Sequence, residues 1–203
     1  MFQNRRSVWH NDGVVHERTS DRSRPGPGPR PRSKPKPLDA AALERLALRY
    51  VERFATTRGR LADYLSRKIR ERGWDGAAAD PAALVQRLAD LGYVDDRAFA
   101  EMRAAAMQRR GLGGRRVAGA FRAAGIDTDD AEAVAPAIED RAVAAALAFA
   151  RRKRIGPYGL SVPDRAVREK QLAAMLRAGH GFALSSKIVA AAPSDGILEA
   201  DFE

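Results

Sequence analysis

Three stretches of this 203-residue chain begin a helix in the same way: LDAAAL from Leu38, VDDRAF from Val94 and IEDRAV from Ile138. Each sets an apolar residue before an acid, and another apolar residue four positions after that acid. Asp39, Asp95 and Glu139 are thereby placed as N-caps, whose carboxylates accept a bond from a first-turn amide that has no helical partner. The pairs Leu38–Leu43, Val94–Phe99 and Ile138–Val143 have the spacing of a hydrophobic staple. A helix start repeated at intervals of roughly 50 residues describes units too small to hold a large core alone, so each must close its apolar face against a neighbour.

The residues between these starts carry helical periodicity. Leu43, Leu46, Tyr50 and Phe54 recur at three and four, as do Leu61, Tyr64, Leu65 and Ile69. A second helix in each unit ends at glycine followed by an apolar residue: Gly73–Trp74, Gly125–Ile126 and Gly181–Phe182. A shorter third helix then follows, predicted over Pro81–Leu91, Thr128–Ile138 and Ala183–Ala192, with Pro136 expected to end or bend the sixth. No stretch alternates β-branched and polar residues. The reading is all-α: three-helix repeats over 38–92, 93–138 and 139–192, about nine helices in an elongated, curved array.

Both ends read as tails. Residues 1–37 include RSRPGPGPRPRSKPKP, whose prolines favour extended backbone, and carry a net charge of +6. Residues 193–203 carry four acids and no cation. The intervening 38–192 is itself +8, so the basic character belongs to the body as well as to the tail. That sign points to an anionic partner, most often nucleic acid.

Composition narrows the chemistry. The chain has no cysteine, which excludes thiolate nucleophiles, disulfides and cysteine-ligated metals. Its three histidines, His10, His16 and His180, lie near the ends, His180 reading as a capping or surface residue. No apolar run is long enough for a membrane span, and MFQNRRSVWHNDG lacks the apolar core of a signal peptide, so a cytoplasmic protein is expected.

Asp95 and Asp96 form the acidic pair most like a reactive site. Magnesium ligation or acid–base work would need further carboxylates converging on them, and Asp90 and Glu101 are the local candidates. The simpler reading makes Asp95 a cap and Asp96 a first-turn acid favoured by the helix dipole. No catalytic residue, metal or cofactor is therefore assigned. Trp74, Tyr93 and Phe99 are expected to pack rather than stack on bases, and Tyr158 to be exposed.

The basic clusters carry more. QRRGLGGRR sets Arg109, Arg110, Arg115 and Arg116 around a glycine turn, where amides opening the next helix could approach an anion. RRKR, Arg151, Arg152, Lys153 and Arg154, ends the long helix of the third unit, with Lys153–Arg154 matching Arg109–Arg110 when counted from the caps. Arg58 and Arg60 follow the first long helix. All ten are candidate contacts to phosphates or to an acidic protein surface.

The stretch LGYVDDRAFAEMRAAAMQRRGLGGRRVAGAFRAAGI resembles the signature region of the RecX regulators, with Gly92, Tyr93, Asp95, Asp96, Phe99 and Gly125 as its markers. ALRYVERFATTRGRLADYLSRKIRERGW is similar to that family's first repeat, and AFARRKRIGPYG and MLRAGHGF to its third. The resemblance covers about Leu38 to Ala192. Arg60 stands where an acid is usual before Leu61, and RAGHGF is one residue longer than the commonest form.

The resemblance implies tandem three-helix repeats and a regulator, mainly negative, of the RecA recombinase. Such a protein lies in the groove of the RecA–DNA filament and restrains ATPase and strand exchange, with consequences for recombination, DNA repair and the SOS response. The implied partners are RecA and single-stranded DNA, with duplex DNA second, and the protein is expected to act as a monomer without catalysis. The rival reading is a free-standing DNA-binding protein with one recognition helix per repeat, Gln86 and Arg87 being the base readers of Pro81–Leu91. A carboxylate-dependent nuclease is the third.

Overall fold

The structure, a computed structural model, describes residues 36–193 and 199–202. The N-terminal tail up to position 35, with His10 and His16, lies outside the described residues, as do 194–198 and 203.

Among the described residues there are nine α-helices and no strand: α1 Ala40–Arg53, α2 Arg58–Arg72, α3 Pro81–Asp90, α4 Asp96–Arg109, α5 Gly114–Ala124, α6 Thr128–Glu139, α7 Ala142–Lys153, α8 Arg165–Arg177 and α9 Phe182–Ala190. Their caps follow from local chemistry. The side chains of Asp39, Thr57, Asp80, Asp95, Asp127 and Asp164 each accept an amide hydrogen from the first turn of the helix they precede.

Three apolar clusters organise the helices. Leu38, Leu43, Leu61, Leu65, Val85 and Leu88 form the core of α1–α3. Phe99, Met107, Val117, Phe121, Ile126 and Val134 form that of α4–α6. Leu147, Phe149, Ile155, Met175, Ile188 and Phe202 form that of α7–α9. Burying each large side chain contributes about 1.5–3 kcal/mol. Leu38 is pinned further, its amide donating to the Gly73 carbonyl at 2.9 Å and its carbonyl accepting from Asp75 at 2.8 Å.

Several sequence expectations change here. Val94 packs in the first cluster and Phe99 in the second, while Ile138 packs against the second and Val143 against the third. These pairs span the boundary between neighbouring cores instead of stapling one helix start. Glu139 is not a cap: it is the last residue of α6, which runs past Pro136, and Arg141 precedes α7 with no side-chain cap bond. Proline lacks the amide it would need for its own helical bond, yet its carbonyl still accepts from Asp140 at 2.9 Å, so the helix continues one turn further.

The end of α8 is also different. Gly179, at φ 96°, ends it, and the His180 amide closes back on the Met175 carbonyl, as the Ile126 amide does on Phe121 after Gly125. Gly179–His180 is therefore the counterpart of Gly125–Ile126, and Gly181 is instead the N-cap of α9. His180 is 2% exposed rather than on the surface. Tyr93 is the converse case, 54% exposed, and Tyr158 is half-buried against the third core. Glu199–Phe202, expected as part of an acidic tail, forms a 3-10 turn that packs Phe202 into that core.

Two junctions connect the three-helix units. At the first, α2 meets α4 and α6. The Thr57 hydroxyl donates to the Ala124 carbonyl, and a Cβ on Gly59 would stand 2.8 Å from the Gly125 Cα. At the second, the start of α5 meets the end of α8. The Gly113 and Arg115 amides donate to the carbonyls of Ala178 and Gly179 at 2.9 and 3.2 Å. A Cβ on Gly113 would fall 2.4 Å from the Gly179 carbonyl, so this approach requires glycine.

Candidate functional site

The positions of the basic side chains follow from helix geometry. Arg103 on α4 and Arg110, the residue that caps its end, are seven residues apart; on α5, Arg115 and Arg122 repeat the spacing, with Arg116 beside them. The two sets line a groove of about 580 Å³ floored by Ala106, Gly119 and Ala120 and containing no acid. All five arginines are exposed, and none forms an ion pair with a described residue. Cations this close repel one another unless an anion joins them.

The end of α7 lies beside this groove. The Arg152 guanidinium donates to the Arg110 carbonyl at 2.6 Å and stands 5.5 Å from the centre of the Phe149 ring. This bond joins two clusters 42 residues apart. Arg151 stacks over Tyr158, while Lys153 and Arg154 are exposed. Arg154 takes the left-handed conformation, φ 55°, that Gly111 takes after α4, and Ile155 closes onto Ala150 as Leu112 does onto Met107. The true counterparts of Arg109–Arg110 are thus Arg152–Lys153, one position earlier than the cap count implied. Arg109 is exposed outside the groove lining.

Other candidates are placed differently. Arg58 is not a free contact. Its guanidinium reaches Asp96 at 3.3 Å, Asp127 at 2.6 Å and Asp130 at 2.9 Å, and its amide donates to Asp96 at 2.8 Å. Burial disfavours the Arg58 charge, but these three carboxylates outweigh it and hold the guanidinium above its ordinary pKa. Three acids share one cation, so Asp130 is raised above its ordinary 3.8 by burial and by Asp127, despite the attraction of Arg58. Arg60 is exposed and lies 5.3 Å over the Phe99 ring.

Asp95 and Asp96 separate in role. Asp95 caps α4 through the Ala98 amide at 2.8 Å. Asp96 is 4% exposed and locks α4 to Arg58, more than a first-turn acid facing solvent. No group of three or more described His, Asp or Glu residues could hold a metal ion. Two of the amides at the start of α5 are not open to an anion, since those of Gly113 and Arg115 donate to the carbonyls at the end of α8. Gln86 and Arg87, the readers required by a recognition-helix reading, are bonded to Asp90 and Glu44.

Sequence reasoning missed Arg103 and Arg122. Their signal was the spacing of seven from Arg110 and Arg115. The signature glycines act through conformation: Gly92 and Gly125, at φ 78° and 67°, turn the chain out of α3 and α5. No described helix is long and apolar enough to cross a membrane.

Helices in threes and an arginine-lined groove define a basic, all-α repeat protein. No family model matches the chain. The Regulatory protein RecX of Myxococcus xanthus (strain DK1622) is 33% identical over 166 residues, covering 75% of this chain and 86% of that protein. The Regulatory protein RecX of Agrobacterium fabrum (strain C58) is 31% identical over 154 residues, covering 74% and 80%. The crystal structure of RecX from Lactobacillus salivarius shares the fold, with a TM-score of 0.54 at 19% identity, covering 73% of this chain and 93% of that one. The chain belongs to the RecX family of regulatory proteins.

Proposed function

We propose that this protein regulates the RecA recombinase, mainly negatively, by binding the RecA–DNA filament in its groove and restraining ATPase and strand exchange. The observation that carries the reading is the α4–α5 groove: five arginines without a described counterion, in a chain of the RecX family. Arg103, Arg110, Arg115, Arg116 and Arg122 meet phosphates there, and Arg109 and Arg151–Arg154 extend the same basic surface. The three units bridge successive recombinase subunits, so subunit addition, or the rearrangement that accompanies ATP turnover, is held back. The protein acts as a monomer, without catalysis of its own, in the cytoplasm.

The test is RecA ATPase and strand exchange on single-stranded DNA. Stoichiometric protein is expected to depress both; no effect at stoichiometric or higher amounts rejects the proposal. Replacing one phosphate-binding arginine by alanine lowers the salt slope of binding to single-stranded DNA by about 0.7. The free-standing DNA-binding reading loses support because Gln86 and Arg87 are occupied within the fold. Tight sequence-specific binding to naked duplex would restore it.

A further inference from the structure

We infer that a second groove, between α5 and α6, docks a partner-protein helix whose apolar face is flanked by lysine or arginine. This groove has a volume of about 560 Å³. Ala118, Ala131 and Ala135 form its floor, and Phe121, Ile126 and Ile138 contribute its apolar walls. The α6 residues lining it recur at three, four and seven, so one helical face is open along its length. Small floor residues admit a second helix to close range, as in helix-in-groove recognition.

The opening is particular to the middle unit. In the first and third units the short helix packs chiefly on the second helix, α3 on α2 and α9 on α8. In the middle unit α6 packs chiefly on α4 and touches α5 only lightly. What would be a closed helix pair elsewhere is here a trough.

Charge selects the occupant. The lining contains Asp127, already paired with Arg58, and the exposed Glu132 and Glu139, against the single lining cation Arg122. In a body of net charge +8 this rim is locally acidic and repels phosphate. A nucleic-acid backbone therefore fits the α4–α5 groove and not this one. A helix with leucine-like anchors and basic flanks complements both the floor and the rim. Helix α5 is the wall between the two grooves, and Arg122 lines both. A protein that grips a nucleoprotein filament needs one surface for the polyanion and one for the protein, and α5 separates the two. Assigning the helix to the recombinase rests on the function proposed above; the chemistry of the groove does not.

Two measurements keep these apart. The first uses a synthetic helical peptide with leucines at i, i+3, i+4 and i+7 and lysine flanks, followed by fluorescence anisotropy on the full chain. The lysine-flanked peptide is expected to bind at least about tenfold tighter than the same peptide with glutamate flanks. Ala135→Trp, at an exposed position that fills the trough, is expected to abolish binding, and Glu132→Lys to weaken it; thermal melting checks that both variants fold. Equal binding of the two peptides, or binding undiminished by Ala135→Trp, overturns the docking site.

The second measures affinity for RecA filaments and for single-stranded DNA alone. Ala135→Trp is expected to weaken filament binding about tenfold or more while leaving DNA binding within about twofold. A wild-type chain that takes the peptide but ignores filaments would reject the recombinase assignment and keep the groove. Self-association of the wild type that Ala135→Trp removes would make a second copy the occupant and overturn the inference.

Discussion

At the first junction Arg58 carries three carboxylates across to α4 and α6; at the second, the amides of α5 meet the carbonyls of α8 with Gly113 and Gly179 in backbone contact. Both solve one problem, fixing neighbouring units whose own cores are small, and the means differ in what they respond to. An ion network half open to solvent weakens with salt and with removal of a partner. Direct backbone contact responds to volume, down to a single methyl group. The second junction also aligns the positive end of α5 with the negative end of α8, which favours the arrangement without any side-chain charge. It also holds the arginine groove in place, because Arg115 and Arg116 sit on the turn of α5 anchored there.

The sharpest way to break this contrast is Gly113→Ala. The added methyl group has nowhere to go but the Gly179 carbonyl, and a destabilisation of about 3 kcal/mol or more is expected in urea denaturation. Asp96→Asn comes next. It keeps one oxygen for the Arg58 amide but removes the carboxylate charge and sets an NH2 group against the Arg58 guanidinium, with an expected cost of about 2 kcal/mol and a reduced dependence of stability on salt.

His180→Ile tests the second junction through pH. The His180 ring must carry its hydrogen on Nε2, because it faces the Gly111 carbonyl at 3.2 Å. Burial lowers its pKa below the ordinary 6.5, and the bond to Gly111 opposes this only in part. The unfolded chain therefore takes up a proton before the folded one does. The stability supplied by neutral His180 is complete above pH 6.5 and is lost as pH falls below it. Melting temperatures of wild type and His180→Ile are expected to run parallel above neutrality, with the wild type falling faster below pH 6.5. Identical slopes throughout would remove His180 as the cause.

The smallest effect belongs to Asp130→Asn. It removes an ion pair together with repulsion from Asp127 and Asp96, and the two nearly cancel. A change within about 0.5 kcal/mol is expected by chemical denaturation. A cost as large as that of Asp96→Asn would mean that the three carboxylates share the load equally.

How far these features were legible in the sequence depends on the range of the interaction. Asp95 and Asp96 are neighbours of one residue type, and the cap was readable because its acceptor and donor lie three residues apart. The burial of Asp96 was not, because it depends on Arg58, 38 positions away. Arg58 was misread as a free cation for the same reason. The helical periodicity was readable because it is a local pattern repeated, whereas a separate apolar cluster within each unit was not, the units having been expected to close on one another. The end of α8 was shifted by two residues because Gly179 and Gly181 both offer a glycine before a bulky residue, and only the packing of His180 beneath Gly111 distinguishes them. The α4–α5 groove was half visible: Arg110, Arg115 and Arg116 stood out as clusters, whereas Arg103 and Arg122 are single residues that become a face only when two helices are set side by side.

Cosedimentation with RecA filaments on single-stranded DNA, against the same DNA without RecA, tests most directly whether this body grips a nucleoprotein filament through its arginine groove. At moderate salt the wild type is expected in the filament pellet and not with free DNA, and the double substitution Arg110→Glu with Arg115→Glu is expected to leave it in the supernatant. Equal pelleting of wild type and variant, or pelleting of the wild type with naked DNA alone, would contradict that claim.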